Sequence, residues 1–320
     1  MKVLRTSDER FDSLPGYDFE PHYVEVPSGD GSGETLRVHY LDEGPESAGS
    51  SGAPGASSES AQVVLLLHGE PSWSYLYRKM VPPLVGAGLR VIVPDLVGFG
   101  RSDKPAARGD YTYARHVEWM RSALFDGLGL EAVTFLGQDW GGLVGLRLVA
   151  ENPERFSRVV AANTGLPTGD DHMGEAFLAW QKFSQEAPEL PVGPIVASGC
   201  TTALSTQVVA AYDAPFPDES YKEGARQFPL LVPTRPDDPA ASANRRAWEA
   251  LGAFDKPFLC AFSDGDPITK GADLRFKEVV PGARNQPHTT IVGGGHFLQE
   301  DKPADLASAV IDFVRLNPVS

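Results

Sequence analysis

The stretch Ala132-Val133-Thr134-Phe135-Leu136-Gly137-Gln138-Asp139-Trp140-Gly141-Gly142-Leu143-Val144-Gly145-Leu146-Arg147-Leu148-Val149-Ala150 decides the fold. Its first five residues are short, apolar and partly β-branched, and read as a buried strand. Residues 143–150 read as a helix packed on a sheet. Between them, Gly137, Gly141 and Gly142 permit a very tight strand-to-helix turn, because a Cβ at those positions would meet the crossing backbone. Such a turn holds Asp139 in a strained conformation, its side chain exposed above the sheet and beside a helix N-terminus. That end of a helix favours an anion.

Outward from this turn the chain alternates. Upstream, residues 22–27 and 36–42 read as two strands joined by a Gly-rich turn. Val63–Leu67 and Arg90–Pro94 are further strands, with helices expected from about Tyr75 to Val85 and from about Tyr113 to Leu128. Downstream, Arg158–Asn163 is the strand after the turn helix. Strand and helix in alternation imply a mostly parallel, doubly wound α/β sheet. From Thr164 to about Pro236 the alternation stops: prolines and short helical patterns replace it, with no convincing strand. Strands resume at Pro257–Phe262 and Thr289–Val292, and a helix from about Ala304 to Leu316 closes the chain. Residues 1–163 and 237–320 are therefore read as the core, and 164–236 as an inserted helical cap. The cap lies over the carboxyl ends of the strands, where open α/β sheets bind ligands. Residues 45–60, dominated by Gly, Ser, Ala and Pro, read as a flexible surface loop.

Composition narrows the partners. Lys and Arg total 28 against 43 Asp and Glu in 320 residues, a net charge of −15, which argues against nucleic acid or anionic membrane. No stretch approaches the roughly 20 apolar residues of a membrane span, and Met1–Arg10 has no apolar signal-peptide core. Cys200 and Cys260 lack metal-ligand spacing and read as free thiols in a reducing cytoplasm.

Three groups converge on the strand ends. Asp139 is the first, and the second is His296 in Gly293-Gly294-Gly295-His296-Phe297. The third is an acid after strand 257–262, where Asp266 is preferred and Asp264 is the fallback. Nucleophile, acid, histidine is the chain order of the α/β-hydrolase fold, whose nucleophile elbow carries Ser in most members and Asp here. A carboxylate is already ionised at neutral pH, so it can displace a leaving group at an sp³ carbon and form an alkyl ester. Water deprotonated by His296 then attacks that ester, and the oxyanion needs backbone N–H donors. Trp140, after the nucleophile, supplies one; Glu70, after His68-Gly69, supplies the other. His68 reads as a structural residue of that loop, and His22, His39, His116, His172 and His288 take no role. The leaving group stays open on these residues. The Trp140 indole suits a departing anion, but epoxide hydrolases also have Asp-Trp-Gly-Gly at the elbow and open the ring with two cap tyrosines. This cap offers Tyr212 and Tyr221, and Trp180, which by itself reads as packing.

The chain resembles the haloalkane dehalogenases in His68–Met80, Gly98–Pro105, Gln138–Gly142 and Ala214–Tyr221, and also in Tyr40–Gly44. The likeness is greatest to the subfamily whose acid follows the strand after the cap. It implies Asp139 as nucleophile, His296 as base, Asp266 as acid, and Trp140 and Trp180 as halide-binding residues. Tyr212 and Tyr221 fall in a motif these enzymes share, so they no longer favour an epoxide. Two stretches depart from the pattern: 45–60, and Glu189–Cys200, which lies in the cap and bears on substrate range. The reading is a cytoplasmic, monomeric enzyme that hydrolyses small halogenated hydrocarbons to alcohol, halide and a proton, in a detoxifying role. It needs no metal or organic cofactor, since nucleophile and base are side chains. The alternatives are an epoxide hydrolase or haloacid dehalogenase of the same fold, and a non-catalytic ligand-binding member, which the late acid–His pair disfavours.

Overall fold

A computed structural model describes residues 1–45 and 61–319. The loop expected at 45–60 lies, beyond Pro45, outside the described residues. The centre is a sheet of eight strands. In chain order its strands are β2 (His22–Pro27), β3 (Thr35–Glu43), β4 (Val63–Leu67), β5 (Arg90–Pro94), β7 (Val133–Gln138), β8 (Phe156–Ala162), β9 (Phe258–Ser263) and β10 (Thr289–Ile291). In space they run β10-β9-β8-β7-β4-β5-β3-β2. Six are parallel; β3 runs antiparallel to β5, and β2 antiparallel to β3. The central strands are apolar runs and not alternations because helices cover both faces: every residue of β7 is buried, and so are Val64 to Leu67 of β4. A two-residue ribbon, β1 (Val3–Leu4) with β6 (Lys104–Pro105), was not foreseen.

Two expected helices are broken. In place of one helix from Tyr75 to Val85 there is a 3₁₀ turn, Ser74–Tyr77, and then α1 (Val81–Gly86). Pro82 and Pro83 have no N–H to donate back along a longer helix, so they are confined to the first turn of α1. The second expected helix is α2 (Tyr113–Arg121), which widens into a π turn over Ser122–Gly127. The turn helix α3 spans Trp140–Glu151.

Between β8 and β9 there are helices and no strand: α4 (Glu175–Glu186), α5 (Val192–Ser198), α6 (Thr206–Asp213), α7 (Glu223–Leu231) and α8 (Ala241–Leu251). The last packs against α3, where Arg147 Nη1 donates to Asn244 Oδ1 at 3.2 Å. A buried polar cluster joins the inserted helices to the core. Glu300 accepts from the Arg78 guanidinium (Nη2, 3.0 Å), from Lys79 Nζ at 2.7 Å and from the Tyr212 hydroxyl at 2.5 Å. The chain ends in α9 (Ala272–Val279), α10 (Leu298–Asp301) and α11 (Pro303–Leu316). Among the described residues, no helix is long and apolar enough to cross a membrane.

Candidate active site

The elbow places Asp139. Its backbone has φ 51° and ψ −125°, a left-handed conformation that costs an L-residue strain. Close packing holds it there: a Cβ on Gly141 would lie 2.0 Å from the Leu67 carbonyl oxygen, and one on Gly142 would lie 2.0 Å from Thr164 Oγ1. The Asp139 carboxylate is therefore lifted off the sheet, with its side chain 19% exposed. The Glu70 amide donates to Asp139 Oδ1 at 2.8 Å. The Trp140 amide opens α3, so it stands free of the helix ladder one residue from the same carboxylate.

His296 follows β10 and is 6% exposed. Its Nε2 lies 3.6 Å from Asp139 Oδ2 and its Nδ1 3.1 Å from Asp266 Oδ1. Asp266, 2% exposed in the turn after β9, is fixed by the Ile268 amide at 2.9 Å and by Thr269. Asp264 is exposed and accepts from the Gly293 amide at 2.7 Å, so it braces the outside of the loop and does not reach the imidazole. Burial alone would depress the His296 pKa; the Asp266 and Asp139 carboxylates overcome that and push it up to about 10. The Asp266 carboxyl is desolvated, which acts to raise it, yet His296 and its hydrogen bonds hold it below the usual range.

His68 is structural, as expected. Its Nε2 accepts from the Leu96 amide at 3.0 Å, which leaves the proton on Nδ1 to donate to the Gly69 carbonyl at 2.9 Å. His172 lies at the wall of the cavity. Cys200 and Cys260 are free thiols; burial pushes Cys200 well above the usual thiol range and Cys260 up to about 12, both in the inert direction.

Above these groups is a cavity of about 940 Å³, walled by Asp139, Trp140, Trp180, Phe177, Leu166 and His296 among others. The tryptophans divide into two sets. Trp73, Trp119 and Trp248 each donate their indole N–H to a carbonyl, those of Ala211, Ser28 and Leu166. Among the described residues Trp140 and Trp180 donate to no backbone carbonyl, and both face the cavity. The Trp180 indole lies beside the Glu70 carboxyl, which burial and the Asp139 charge push well above the usual carboxylate range. Tyr212 and Tyr221 are not part of the cavity wall. Among the described residues, no group of three or more His, Cys, Asp or Glu side chains is placed to hold a metal ion.

Two residues at the site were not anticipated. Asn163, at φ 38° just past β8, donates to the Gly295 and His296 carbonyls at 2.9 and 3.1 Å. Gln138 brings its Nε2 within 3.2 Å of both His296 Nε2 and the His296 carbonyl. An Asn directly after the strand that follows the elbow was the available signal for the first; Gln138 carried none beyond its place next to Asp139.

Residues 62–303 match the family model for the α/β-hydrolase fold. The chain is 58% identical to a haloalkane dehalogenase of Psychrobacter cryohalolentis over 99% of its length and 100% of the relative's. It is 50% identical to one of Mycolicibacterium paratuberculosis, over 98% of each chain. The chain belongs to the haloalkane dehalogenase family. A solved haloalkane dehalogenase from Paraglaciecola agarilytica, described as tetrameric, superposes with a TM-score of 0.85 at 36% identity, over 96% of this chain and 97% of that one. More distantly, a cis-3-alkyl-4-alkyloxetan-2-one decarboxylase of Xanthomonas campestris is 30% identical over 96% of this chain and 100% of its own. Sequence likeness thus extends to a relative with a different name, so the roles of the residues have to be argued from the site.

Proposed function

We propose that the chain hydrolyses carbon–halogen bonds of small haloalkanes, with Asp139 as nucleophile, His296 as base, Asp266 as its partner, and Trp140 and Trp180 as halide donors. The observation that carries this is the company Asp139 keeps. One cavity joins it to a carboxylate-flanked histidine and to the two tryptophans that donate to no backbone carbonyl.

In the first step Asp139 Oδ2 attacks the carbon that bears the halogen. A C–O bond forms, and the C–X electron pair leaves with the halide. The leaving anion sheds water in a largely apolar cavity, so it needs fixed neutral donors, which indole N–H groups supply. Burial and the Asp139 charge both disfavour ionisation of Glu70, which opposes a second anion beside the nucleophile.

In the second step the ester oxygen still held by the Glu70 amide is the carbonyl oxygen. Alkylation has removed the Asp139 charge, one of the two that kept the imidazole protonated. Its pKa falls, and neutral His296 can take a proton from water. The hydroxide adds to Asp139 Cγ, the oxyanion is held by the Glu70 and Trp140 amides, and the Cγ–Oδ2 bond breaks. His296 returns its proton to the alkoxide. The balance is haloalkane plus water to alcohol, halide and a proton.

Residues 1–163 and 237–320 are taken as the core and 164–236 as the cap, a division supported by α8 packing on α3. All the proposed site residues come from one chain, which suits a monomer, and two free thiols suit a reducing cytoplasm. The test is halide and proton release from 1-bromobutane and 1,2-dibromoethane, with styrene oxide alongside. Turnover of the bromides supports the assignment; turnover of styrene oxide with inert bromides overturns it in favour of an epoxide hydrolase.

A further inference from the structure

The loop that carries His296 is held from two sides. On the core side, Asn163 and Ser263 donate to its carbonyl oxygens, with Ser263 Oγ 2.8 Å from the Gly295 carbonyl. On the other side its amides are taken up by the inserted segment. The His296 and Phe297 amides both donate to the Gly199 carbonyl, at 2.8 and 3.3 Å, and Gly199 closes α5. The two loops are pressed together there: a Cβ on Gly199 would lie 2.7 Å from the Phe297 ring, and one on Gly295 would lie 2.5 Å from the Gly199 carbonyl oxygen. Asp301, at the end of α10, completes the join. Its Oδ2 accepts from the Gly295 amide at 2.8 Å and from the Thr201 amide at 2.9 Å, while Oδ1 accepts from the Thr202 amide at 2.8 Å. One carboxylate therefore satisfies three amides, one next to the base and two in the inserted turn.

We propose that Asp301 is a positioning residue that rivets the His296 loop to the inserted turn 199–202, so that ester hydrolysis, more than alkylation, depends on that join. The proposal rests on His296 being the base. Asp139 is set by the elbow and Trp140 by α3, and neither is tied to the Asp301 cluster. His296 is, through the neighbouring amide. Its Nε2 must meet a water over the Asp139 ester while Nδ1 keeps Asp266, and a displacement of about 1 Å costs such a step on the order of 10²-fold. Asp301→Asn is a graded change, because one amide oxygen can keep the Gly295 and Thr201 bonds while its NH₂ confronts the Thr202 N–H.

The experiment is rapid-mixing halide release followed by quenched detection of the alkyl-enzyme, on the full chain, with 1-bromobutane. For Asp301→Ala the halide burst keeps its rate within about threefold, while hydrolysis of the alkyl-enzyme slows by about 10- to 100-fold and the adduct accumulates. Asp301→Asn falls between that variant and the parent, and it serves alone if the alanine variant does not fold. Equal loss in both steps, or no loss in either, overturns the proposal. Failure of the underlying reading looks different: His296→Gln would then turn over steadily in the same assay.

Discussion

Trp140 and Trp180 face the same cavity but are placed on different terms. Trp140 is 3% exposed, opens α3 directly behind the elbow, and is wedged between Tyr113 and Phe228 with ring centroids 4.9 and 4.5 Å away. Trp180 sits half-buried on α4, and its ring neighbour is Phe183, 6.1 Å away and itself 45% exposed. The fold needs the first indole whether or not a halide ever binds. It has far less use for the second, since a packing tryptophan is normally driven inside. An indole held at a cavity wall, with its N–H turned to the Glu70 carboxyl beside Asp139 and to no backbone carbonyl, is better explained by what it meets there. The core half of the site is thus set by strand ends and a strained turn, and the inserted half by one helix face.

The sharpest way to break this contrast is to remove the base. His296→Gln leaves Asp139 and both indoles in place, so it should release one equivalent of halide and then stop, with steady turnover down by about 10³- to 10⁴-fold. Intact-protein mass should show the alkyl adduct, and Asp139→Asn should show none. Steady turnover by the glutamine variant would move the base elsewhere. Asp266→Asn should come next, at about 10³-fold on ester hydrolysis, because it removes the carboxylate that orients and charges the imidazole. Asp264→Asn should stay within about threefold by the same measurement, since that residue only braces Gly293 from outside. The reverse order would exchange the two acids.

The indole pair tests the comparison itself. Loss of one donor aimed at developing charge costs on the order of 3 kcal/mol, or about 10²-fold in rate. Trp140→Phe and Trp180→Phe should both lose about that much halide-release rate, but only Trp140→Phe should also lower Tm, because it loosens contact with Tyr113 and Phe228. If Trp180→Phe binds bromide and turns over like the parent, the second donor lies elsewhere on the inserted helices.

How far the sequence could be read follows the same division. The elbow, the alternation of strand and helix around it and the meeting of Asp139, Asp266 and His296 were legible because each depends on local chemistry. Glycines sit where a Cβ cannot, apolar runs stand where a strand is covered on both faces, and the acid and histidine follow strands that must end at one edge. Trp180 was not legible that way: a tryptophan on a short cap helix carries no local signal, and only resemblance singled it out. Asn163, Gln138 and the Asp301 rivet escaped because they act through contacts between loops far apart in the chain. The single helix expected across Tyr75–Val85 failed for a local reason, since two prolines at the start of α1 weigh more than apolar spacing.

A smaller effect separates the two protonation states of the base. In the free enzyme His296 titrates near 10, against about 6.5 in an unfolded chain. It therefore stabilises the fold fully below about pH 6.5, and that contribution is lost as pH rises towards about 10. The Tm advantage of the parent over His296→Gln should shrink across that window. Hydrolysis of the alkyl-enzyme should instead rise with pH through an apparent pKa below that of the free enzyme, because Asp139 is then an uncharged ester. Coincident values in the two measurements would mean that the Asp139 charge does not hold the proton on His296.

The smallest effect on chemistry should come from the inserted residues that lie outside the cavity. Tyr212 is fully buried, but its hydroxyl donates to Glu300 in the cluster with Arg78 and Lys79 and does not reach the cavity wall. Tyr221 is half-buried and also off the wall. An enzyme that opened epoxides with these two hydroxyls would lose its activity when either became phenylalanine. Here Tyr221→Phe should leave turnover of 1-bromobutane unchanged, and Tyr212→Phe should change it by less than about threefold. The second variant should still lower stability by about 2 kcal/mol, the ordinary value of a buried hydrogen bond to a charged acceptor. The readouts are initial halide-release rates and urea midpoints for both variants. A collapse of activity with an unshifted midpoint would put a tyrosine into the chemistry and reopen the question of the leaving group.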